Sequence, residues 1–430
     1  MKYYCGLDFG TSNSVLSLVQ TDSDGTRSSA RSSARIVARE PSVLFFPKQG
    51  ICETIYFVGE EAIAAYLEYH MQGRFIQSLK SLLADPLFTG TVINKRPYTP
   101  ADLVRFILGH LKRKAEKMVG QKITAVVVGR PVYFSSDPDL DAEAELSLKN
   151  AARMAGFRQI EFQYEPVAAA MAYETHLTKA QTVLVADLGG GTTDFTIMRL
   201  GPQSDRDLRP EDDVLATVGI GVGGDGFDSA IMWDKLVKHF GYGSSYESWG
   251  KQLEVPIHIY RTLCHWEQMA LLKTHEYREE IRYFLQGSNA RDAIERLMAL
   301  IDNNLGYALF KSIEAAKIAL TEWDAATIEF DQKDISLNER ITEPELAGVI
   351  FPDLKKISRT IDEVLERAGL TEDAIGTVFL TGGSSLLRRI QKLFGMRFGS
   401  EKVRSGMDTF TSVAAGLALH SHRSYCVAGS

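Results

Sequence analysis

The chain has 430 residues, of which 45% are hydrophobic and 24% are charged, a composition typical of soluble globular proteins. Because a single hydrophobic core stops growing at roughly 250 to 300 residues, this length predicts two or more domains. The formal net charge of -7 argues against a general nucleic-acid binder, and no apolar run approaches the roughly 18 residues that cross a bilayer. We therefore expect a soluble protein with neither a nucleic-acid nor a membrane partner.

The cysteines are spread along the chain, at Cys5, Cys52, Cys264 and Cys426, and none of them has the close spacing of a zinc site or a redox motif. This usage fits a reducing, cytoplasmic setting. The N-terminal stretch MKYYCGLDFG lacks the apolar segment and the small-residue cleavage site of a secretory signal, so no such signal is expected.

The first predicted pair of strands covers residues 3–19, YYCGLDFGTSNSVLSLV. An apolar strand ends near Asp8, a turn follows at Gly10 and Thr11, and a second apolar strand begins. Glycine N–H groups can form a nest for an anion, and an aspartate at a strand end can hold a cation. One such turn leaves two interpretations open, a phosphate site and a plain glycine-containing hairpin.

Two α/β elements are predicted next in the chain. Residues 122–134, KITAVVVGRPVYF, predict a buried strand that ends at Gly-Arg-Pro. Residues 142–157, AEAELSLKNAARMAGF, have the apolar spacing of a helix and a glycine near its end. Alternating strands and helices of this kind are typical of an α/β fold.

Residues 160–177 predict a strand that leads into a helix, with Pro166 in the first helical turn. Glu165 therefore lies at a strand-to-helix junction, where side chains of alternating α/β folds meet ligands. A helix dipole also favours an acidic residue there by up to about 1 kcal/mol, and both roles are compatible. Alanines between positions 168 and 172 give the helix a small surface that permits a close neighbour.

The first strand pair has a second copy at residues 183–197, VLVADLGGGTTDFTI. The order of apolar strand, aspartate, glycine and hydroxyl-rich turn is the same, with Asp187 and Gly189 in the positions of Asp8 and Gly10. Three consecutive glycines are poor strand formers and mark a close approach of backbone to another group. Two hairpins of one design predict two similar domains that share a bound phosphate.

Residues 377–394, TVFLTGGSSLLRRIQKLF, predict one more strand, a Gly-Gly-Ser turn and a helix. The N-terminus of that helix is a further candidate site for an anion or a nucleotide, since free N–H groups and the helix dipole attract negative charge there.

These stretches together resemble the actin-fold ATPases, and within that group the ATPase domain of the DnaK-type heat-shock chaperone (heat-shock protein 70) family. The matching motifs cover about residues 3 to 418 in the family's order: GLDFGTSNSV, FIQSLKSLL, QYEPVAAAMAYE, VADLGGGTTDFTI, GIGVGGDGFDSAI, SIEAAKIALT and FLTGGSSLLRRIQKLF. The resemblance implies an α/β, actin-like ATPase fold of two duplicated lobes. Each lobe would have an inner mixed-sheet core and an outer subdomain, with a nucleotide cleft between the lobes.

The resemblance also assigns boundaries. Lobe one would cover residues 1–178, with an outer subdomain at about 38–111, and the C-terminal helix 408–430 would complete it. Lobe two would cover residues 179–407, with an outer subdomain at about 227–340. No peptide-binding domain is expected in this sequence.

The resemblance implies ATP or ADP and Mg²⁺ as cofactors, with Asp8 and Asp187 holding the metal largely through water. From the residues alone, Lys80 is a solvated helix charge; the resemblance makes it the lysine that reaches the γ-phosphate. Glu165, with Asp187, would orient or deprotonate the attacking water, and Thr192 would complete the catalytic set. The positions implied around the phosphates are Asp8, Gly10, Thr11, Ser12, Asn13, Gly189, Gly190, Gly191 and Thr192. Those implied around the ribose and the base are Gly223, Gly224, Glu314, Lys317, Ile318, Gly382, Gly383, Ser384 and Leu386.

Two of these positions depart from the family pattern. Ile318 and Leu386 stand where the family usually has arginines that sandwich the adenine. An apolar pair keeps van der Waals contact but loses cation–π stacking of roughly 0.5 to 2 kcal/mol per contact. The departure predicts weaker ATP affinity or a relaxed choice of base.

The sequence leaves three functions open. The first is a Mg²⁺-dependent, slow ATPase that acts as a conformational switch on a protein partner or client, working as a monomer. The second is a small-molecule kinase of the same superfamily, for which no acceptor motif is found. The third is a non-enzymatic scaffold or filament protein that binds nucleotide structurally.

Overall fold

The computed structural model describes residues 2–21, 34–48, 55–69, 72–135, 137–174, 179–201, 214–405 and 411–427. The chain forms two compact units. The first unit comprises Met1–Gly223, Lys356–Leu386 and Ile390–Ser430, and the second comprises Gly224–Lys355 and Leu387–Arg389. The lobe boundaries expected from the sequence stay a prediction.

Strands and helices alternate through much of the described chain. The strands are Lys2–Phe9 (β1), Asn13–Thr21 (β2), Arg35–Pro41 (β3), Leu44–Pro47 (β4), Phe57–Val58 (β5), Gly73–Ile76 (β6), Thr91–Ile93 (β7), Arg96–Tyr98 (β8), Ala125–Arg130 (β9), Gln159–Tyr164 (β10), Gln181–Leu188 (β11), Thr193–Leu200 (β12), Val214–Ile220 (β13), Ser245–Ser248 (β14), Lys251–Glu254 (β15), Ala325–Gln332 (β16), Ile335–Thr342 (β17), Thr377–Thr381 (β18) and Val403–Ser405 (β19). The helices are Glu60–Glu68 (α1), Leu79–Leu82 (α2), Pro100–Val119 (α3), Pro138–Met154 (α4), Glu165–Glu174 (α5), Gly224–Ile231 (α6), Ile257–Cys264 (α7), His275–Gly287 (α8), Arg291–Asp302 (α9), Gly306–Ala319 (α10), Glu343–Val349 (α11), Phe351–Ala368 (α12), Arg388–Phe398 (α13) and Ser412–Val427 (α14). Among these described helices, none has the length and apolarity needed to span a membrane.

The first unit contains two five-stranded sheets of the same topology. Their strand orders are β10-β9-β1-β2-β3 and β19-β18-β11-β12-β13. In each sheet the first three strands along the chain pair antiparallel, and the two strands on the other side pair parallel. The mixed α/β cores predicted from the sequence are therefore confirmed.

The two glycine turns close hairpins of the same register. Phe9 pairs with Ser14 at the end of the first hairpin, and Leu188 pairs with Thr193 at the end of the second. Four residues close each hairpin, and the aspartate lies one position before the last pair in both. This shared register confirms the internal repeat that the sequence predicts.

Helix α14 packs closely against both β1 and α5 in the first unit. A Cβ added to Gly416 would overlap the carbonyl oxygen of Ala168, and a Cβ added to Gly6 would overlap the amide nitrogen of Ala418. Ala168 and the two alanines directly after it are fully buried. The small surface predicted for α5 is thus used by α14, with glycine or alanine at the points of closest approach.

Two helices begin at positions other than those that the sequence pattern suggests. Helix α4 begins at Pro138, because the carboxylate of Asp137 accepts hydrogen bonds from the first turn and caps it. The Gly-Gly-Ser turn does not lead directly into α13. Gly383–Leu386 forms one 3-10 turn, closed by a hydrogen bond from Ser385 Oγ to the Gly382 carbonyl oxygen, and α13 starts at Arg388. The helix N-terminus expected at Gly-Gly-Ser is therefore displaced along the chain.

The second unit contains α6 to α11, the start of α12 and of α13, and two antiparallel hairpins, β14–β15 and β16–β17. Its core is lined by buried aliphatic and aromatic side chains of several helices, among them Tyr260, Ile294, Leu297 and Ile313. This unit carries Gly224, which begins α6, together with the predicted positions on α10.

Candidate active site

A buried ion pair joins Lys80 and Glu165 in the first unit. Lys80 Nζ lies 2.6 Å from Glu165 Oε1 and 2.8 Å from Oε2, and the side chains are only 11% and 7% exposed. Ser78 precedes α2 in the left-handed region (φ 54°) and turns the chain sharply before Lys80. Glu165 is the first residue of α5, directly after β10. The lysine and the glutamate singled out by the sequence analysis are therefore in direct contact.

The two predicted aspartates lie in the same electrostatic environment as this pair. Burial, together with the negative charge of Glu165, raises the pKa of Asp187 to about 7 and raises the pKa of Asp8 well above its usual range. The ammonium of Lys80 opposes both shifts. Desolvation tends to lower the pKa of Lys80, but the surrounding carboxylates outweigh it and the net shift is upward. The site thus gathers more carboxylates than cations, which favours binding of an additional positive charge.

Asp194 is a fourth carboxylate of this site, and the sequence analysis did not select it. It pairs with Asp187 across the β11–β12 hairpin and is 5% exposed. Burial, with the charges of Glu165 and Asp187, raises its pKa to about 7, and Thr192 Oγ1 donates to its Oδ2 at 3.1 Å. The first hairpin has Val15 at the equivalent position, so a comparison of the two repeats does not identify Asp194 as a shared acidic residue. The signal in the sequence is an aspartate at each end of one glycine turn.

The second glycine turn is packed against two other predicted segments. A Cβ on Gly223 would overlap Gly190 and approach the Gly189 carbonyl oxygen to 2.8 Å. Gly382, with φ +80°, follows β18; a Cβ there would overlap the carbonyl group of Leu188, just before the turn, and approach Asp187 Oδ1 to 2.9 Å. Ser384 Oγ donates to the Gly189 carbonyl oxygen at 3.2 Å. Only glycine allows these backbones to come so close.

The two glycine turns also come together at Gly191. A Cβ built on Gly191 would lie 3.4 Å from Ser81 Oγ, 3.5 Å from Thr11 Cγ2 and 3.6 Å from Thr11 Oγ1. Thr11 belongs to the first turn, Gly191 belongs to the second, and Ser81 follows Lys80. One small region therefore contains both turns and the lysine segment.

The first turn is held in place by Ser42, another residue that the sequence analysis did not select. Ser42 Oγ donates to the Gly10 carbonyl oxygen at 2.7 Å, and its amide nitrogen donates to the Ser12 carbonyl oxygen at 2.9 Å. A Cβ on Gly10 would overlap the Asn13 carbonyl oxygen, so this turn also needs glycine. The signal for Ser42 was absent because it is distant in the sequence from the turn that it fixes.

The remaining predicted positions lie in the second unit, apart from Gly383 and Leu386 of the 3-10 turn. Lys317 is 8% exposed, and its Nζ donates to Asp228 Oδ2 at 2.7 Å and to the Gly224 carbonyl oxygen at 3.0 Å. Burial raises the pKa of Asp228 to about 7, against the opposing charge of Lys317. Glu314 is half-buried, whereas Ile318 is 57% exposed. The ammonium of Lys317 thus has protein partners within its own unit.

The described parts of the chain contain no cluster of side chains arranged to ligate a metal ion directly. No group of three or more His, Cys, Asp or Glu side chains in those parts comes together closely enough to hold an ion. The acidic groups near Lys80 are instead suited to attract a hydrated cation.

We predict that Asp194→Asn stabilises the ligand-free protein increasingly as the pH rises. The unfolded carboxyl ionises near pH 4, whereas the folded one keeps its proton until about pH 7, so ionisation destabilises the wild type over this range. The variant should have a higher free energy of unfolding than wild type. This difference should be roughly 2 kcal/mol larger at pH 8 than at pH 5. Urea unfolding at both pH values measures this, with exposed Asp373→Asn as the control. An equal difference at the two pH values would contradict the assignment.

Paired mixed sheets, each with an aspartate before a glycine turn, define the actin-like ATPase class of α/β folds. The sequence model described as "Hsp70 protein" matches residues 70–251 and 291–423. The chain therefore belongs to the Hsp70 family, which confirms the resemblance to DnaK-type chaperones.

Two relatives show the extent of the similarity. The chain is 28% identical over 420 residues to the chaperone protein DnaK of Thermosipho africanus, covering 97% of this chain and 58% of that protein. It is also 28% identical over 426 residues to the chaperone protein DnaK of Mycoplasmopsis synoviae, covering 96% of this chain and 57% of the relative. The chain thus spans little more than half the length of these two relatives.

Proposed function

We propose that this chain is a Mg²⁺-dependent ATPase that hydrolyses ATP slowly and acts as a nucleotide-driven conformational switch on a protein partner. The observation that carries the proposal is the contact of Lys80 with Glu165 beside Asp8, Asp187 and two glycine turns. Membership of the Hsp70 family and similarity to proteins named as DnaK chaperones support a chaperone-type ATPase. Phosphoryl transfer depends on alignment and charge neutralisation, which these groups can supply.

The ion pair gives Lys80 and Glu165 linked roles. The ammonium donates to both carboxylate oxygens of Glu165. A bound γ-phosphate offers a stronger negative partner, so Lys80 would turn toward it and Glu165 would regain free lone pairs. Glu165 could then accept the proton of the attacking water, while Asp187 helps to orient that water. The same movement stabilises the charge on the phosphate and activates the nucleophile.

The acidic groups fit a hydrated magnesium ion held from Asp8 and Asp187. Burial, and after it the charge of Glu165, raise the pKa values of both acids, and the opposing charge of Lys80 does not cancel these shifts. When bound, Mg²⁺ would neutralise phosphate charge. The backbone N–H groups of the turns and the hydroxyl of Thr192 would hold the phosphates around it.

We expect the protein to bind the adenine base weakly, or to accept other bases in its place. Ile318 is largely exposed, which leaves an apolar side chain available for an adenine face. With Ile318 and Leu386 in place of arginines, ATP binding would lack cation–π stacking of roughly 0.5 to 2 kcal/mol per contact. Because the chain spans little more than half of its relatives, the partner or client, the monomeric state and the cytoplasmic setting all belong to the proposal.

Single-turnover hydrolysis of Mg-ATP, with bound nucleotide separated and quantified, tests the proposal. Slow release of phosphate without an added acceptor is the expected result. Hydrolysis that requires a sugar would favour a kinase, and binding without hydrolysis, together with ATP-dependent growth in light scattering, would favour a scaffold. Failure to bind ATP would overturn the proposed function.

A further inference from the structure

We propose that Ser81 is a γ-phosphate-binding residue through which this chain distinguishes ATP from ADP. This inference rests on the proposed function and adds a contact that the sequence analysis did not identify. Ser81 lies directly after Lys80 in α2, and its side chain is exposed. Neighbouring residues of a helix point in different directions, so the role of Ser81 follows from where its hydroxyl lies, which is against Gly191 of the turn proposed to hold the phosphates.

The position of the Ser81 hydroxyl supports this role. Its oxygen lies 3.4 Å from a Cβ built on Gly191, and Thr11 Oγ1 lies 3.6 Å from the same point. Two hydroxyl groups therefore lie beside the space that a side chain at Gly191 would occupy. Both turns proposed to hold phosphate take part in this arrangement, although Ser81 belongs to neither.

The hydroxyl is also available for a ligand. Thr192 donates to Asp194, and Lys80 is engaged by Glu165. In contrast, the hydroxyls of Ser81 and Thr11 make no hydrogen bond to any group in the described part of the chain. A donor that is not committed to the protein can bind a phosphate oxygen without first breaking another contact.

The electrostatics of the site explain why a neutral donor is useful there. Lys80 interacts with several carboxylates at once, since its charge opposes the rise in the pKa of each of Asp8, Asp187 and Asp194. A hydroxyl can donate to an anionic oxygen, and such charge-assisted bonds are stronger than neutral ones. Ser81 would therefore add a bond to the γ-phosphate, which ADP lacks.

The test compares Ser81→Ala, Ser81→Thr and the control Ser336→Ala, an exposed serine of β17. Calorimetry would measure the dissociation constants of ADP and of a non-hydrolysable ATP analogue for each protein. We expect Ser81→Ala to bind the ATP analogue about 10- to 100-fold more weakly, with ADP affinity unchanged. Ser81→Thr should retain the wild-type ratio because it keeps the hydroxyl, and Ser336→Ala should match wild type.

The outcomes separate this inference from the proposed function. If wild type binds and hydrolyses ATP but Ser81→Ala keeps the same ratio of ATP to ADP affinity, the role of Ser81 is wrong and the ATPase stands. An equal loss of both nucleotides would also overturn the γ-phosphate contact. If wild type binds neither nucleotide, both proposals fall. Matching thermal unfolding of Ser81→Ala and wild type would show that the comparison reports on binding.

Discussion

Replacing Lys80 with methionine is expected to slow single-turnover ATP hydrolysis by about 10²- to 10³-fold, the usual effect of removing a donor aimed at transition-state charge. The substitution removes the cation from the pair with Glu165 and leaves that carboxylate buried without its partner. Hydrolysis should fall more than nucleotide binding, because the lysine acts on charge that develops as the phosphoryl group moves. Rapid quench of pre-bound nucleotide measures the rate.

A matched control distinguishes lost chemistry from lost stability. Lys112 and Glu116 form another pair in the first unit, with side chains each 10% exposed, close to the exposure of the Lys80 pair. Removing Lys80 should destabilise the fold by up to about 3 to 5 kcal/mol. Removing Lys112 should cost less, because Glu116 still accepts from Lys122 Nζ at 3.0 Å and from the Ile123 N–H at 3.0 Å. Lys112→Met should nevertheless hydrolyse ATP at the wild-type rate under conditions where it is folded. If the two variants lost equal activity, the role assigned to Lys80 would be wrong.

Gly416→Ala is expected to lower the free energy of unfolding by about 3 kcal/mol, at the upper end of the usual cost of overpacking. An added methyl group would overlap the carbonyl oxygen of Ala168, and this contact is backbone to backbone, so no side-chain rotation can relieve it. Helices α14 and α5 would have to separate. Urea unfolding followed by circular dichroism measures the loss.

Gly109→Ala provides the comparison, since this glycine also lies inside a helix of the first unit, α3. An added Cβ would lie 3.2 Å from the flexible end of Arg113, which can move away. The gain in helix propensity, roughly 0.5 to 1 kcal/mol, should offset most of the crowding. Equal effects at the two glycines would show that α14 and α5 are not closely packed.

The four carboxylates give the proposed nucleotide switch a physical basis. Burial first, and the charge of Glu165 second, raise the pKa values of Asp8, Asp187 and Asp194, so their full ionisation is unfavourable. A cation that enters with the nucleotide would stabilise the ionised acids and favour the arrangement in which they lie close together. Loss of the terminal phosphate would weaken the binding of this cation. The proposed switch requires such a difference between ATP and ADP.

Much of the local structure could be predicted because its causes are local. The glycine turns at Gly10 and Gly189 interrupt apolar strands, and the hairpin register follows from strand alternation and turn length. Glu165 at a strand-to-helix junction is likewise visible in the sequence, because a proline follows it in the first helical turn. The family resemblance added roles for Lys80 that the residues alone did not provide.

The start of α13 and the engagement of Lys317 could not be predicted in the same way. Ser385 closes a 3-10 turn by bonding to Gly382, although the sequence pattern alone favours an immediate helix. Lys317 binds Asp228, which lies 89 residues earlier in the chain. Such side-chain partners compete with the simple periodic pattern, and only packing decides which one forms.

By itself, the sequence determined two repeated hairpins, their glycine turns and the α/β character of the chain, because these depend on neighbours in the chain and on backbone stereochemistry. Tertiary structure alone decided that Lys80 meets Glu165 across 85 residues, that Asp194 joins the acidic cluster, and that Ser81 lies beside Gly191. Electrostatic energy depends on distance and burial, and neither is defined until the chain has folded.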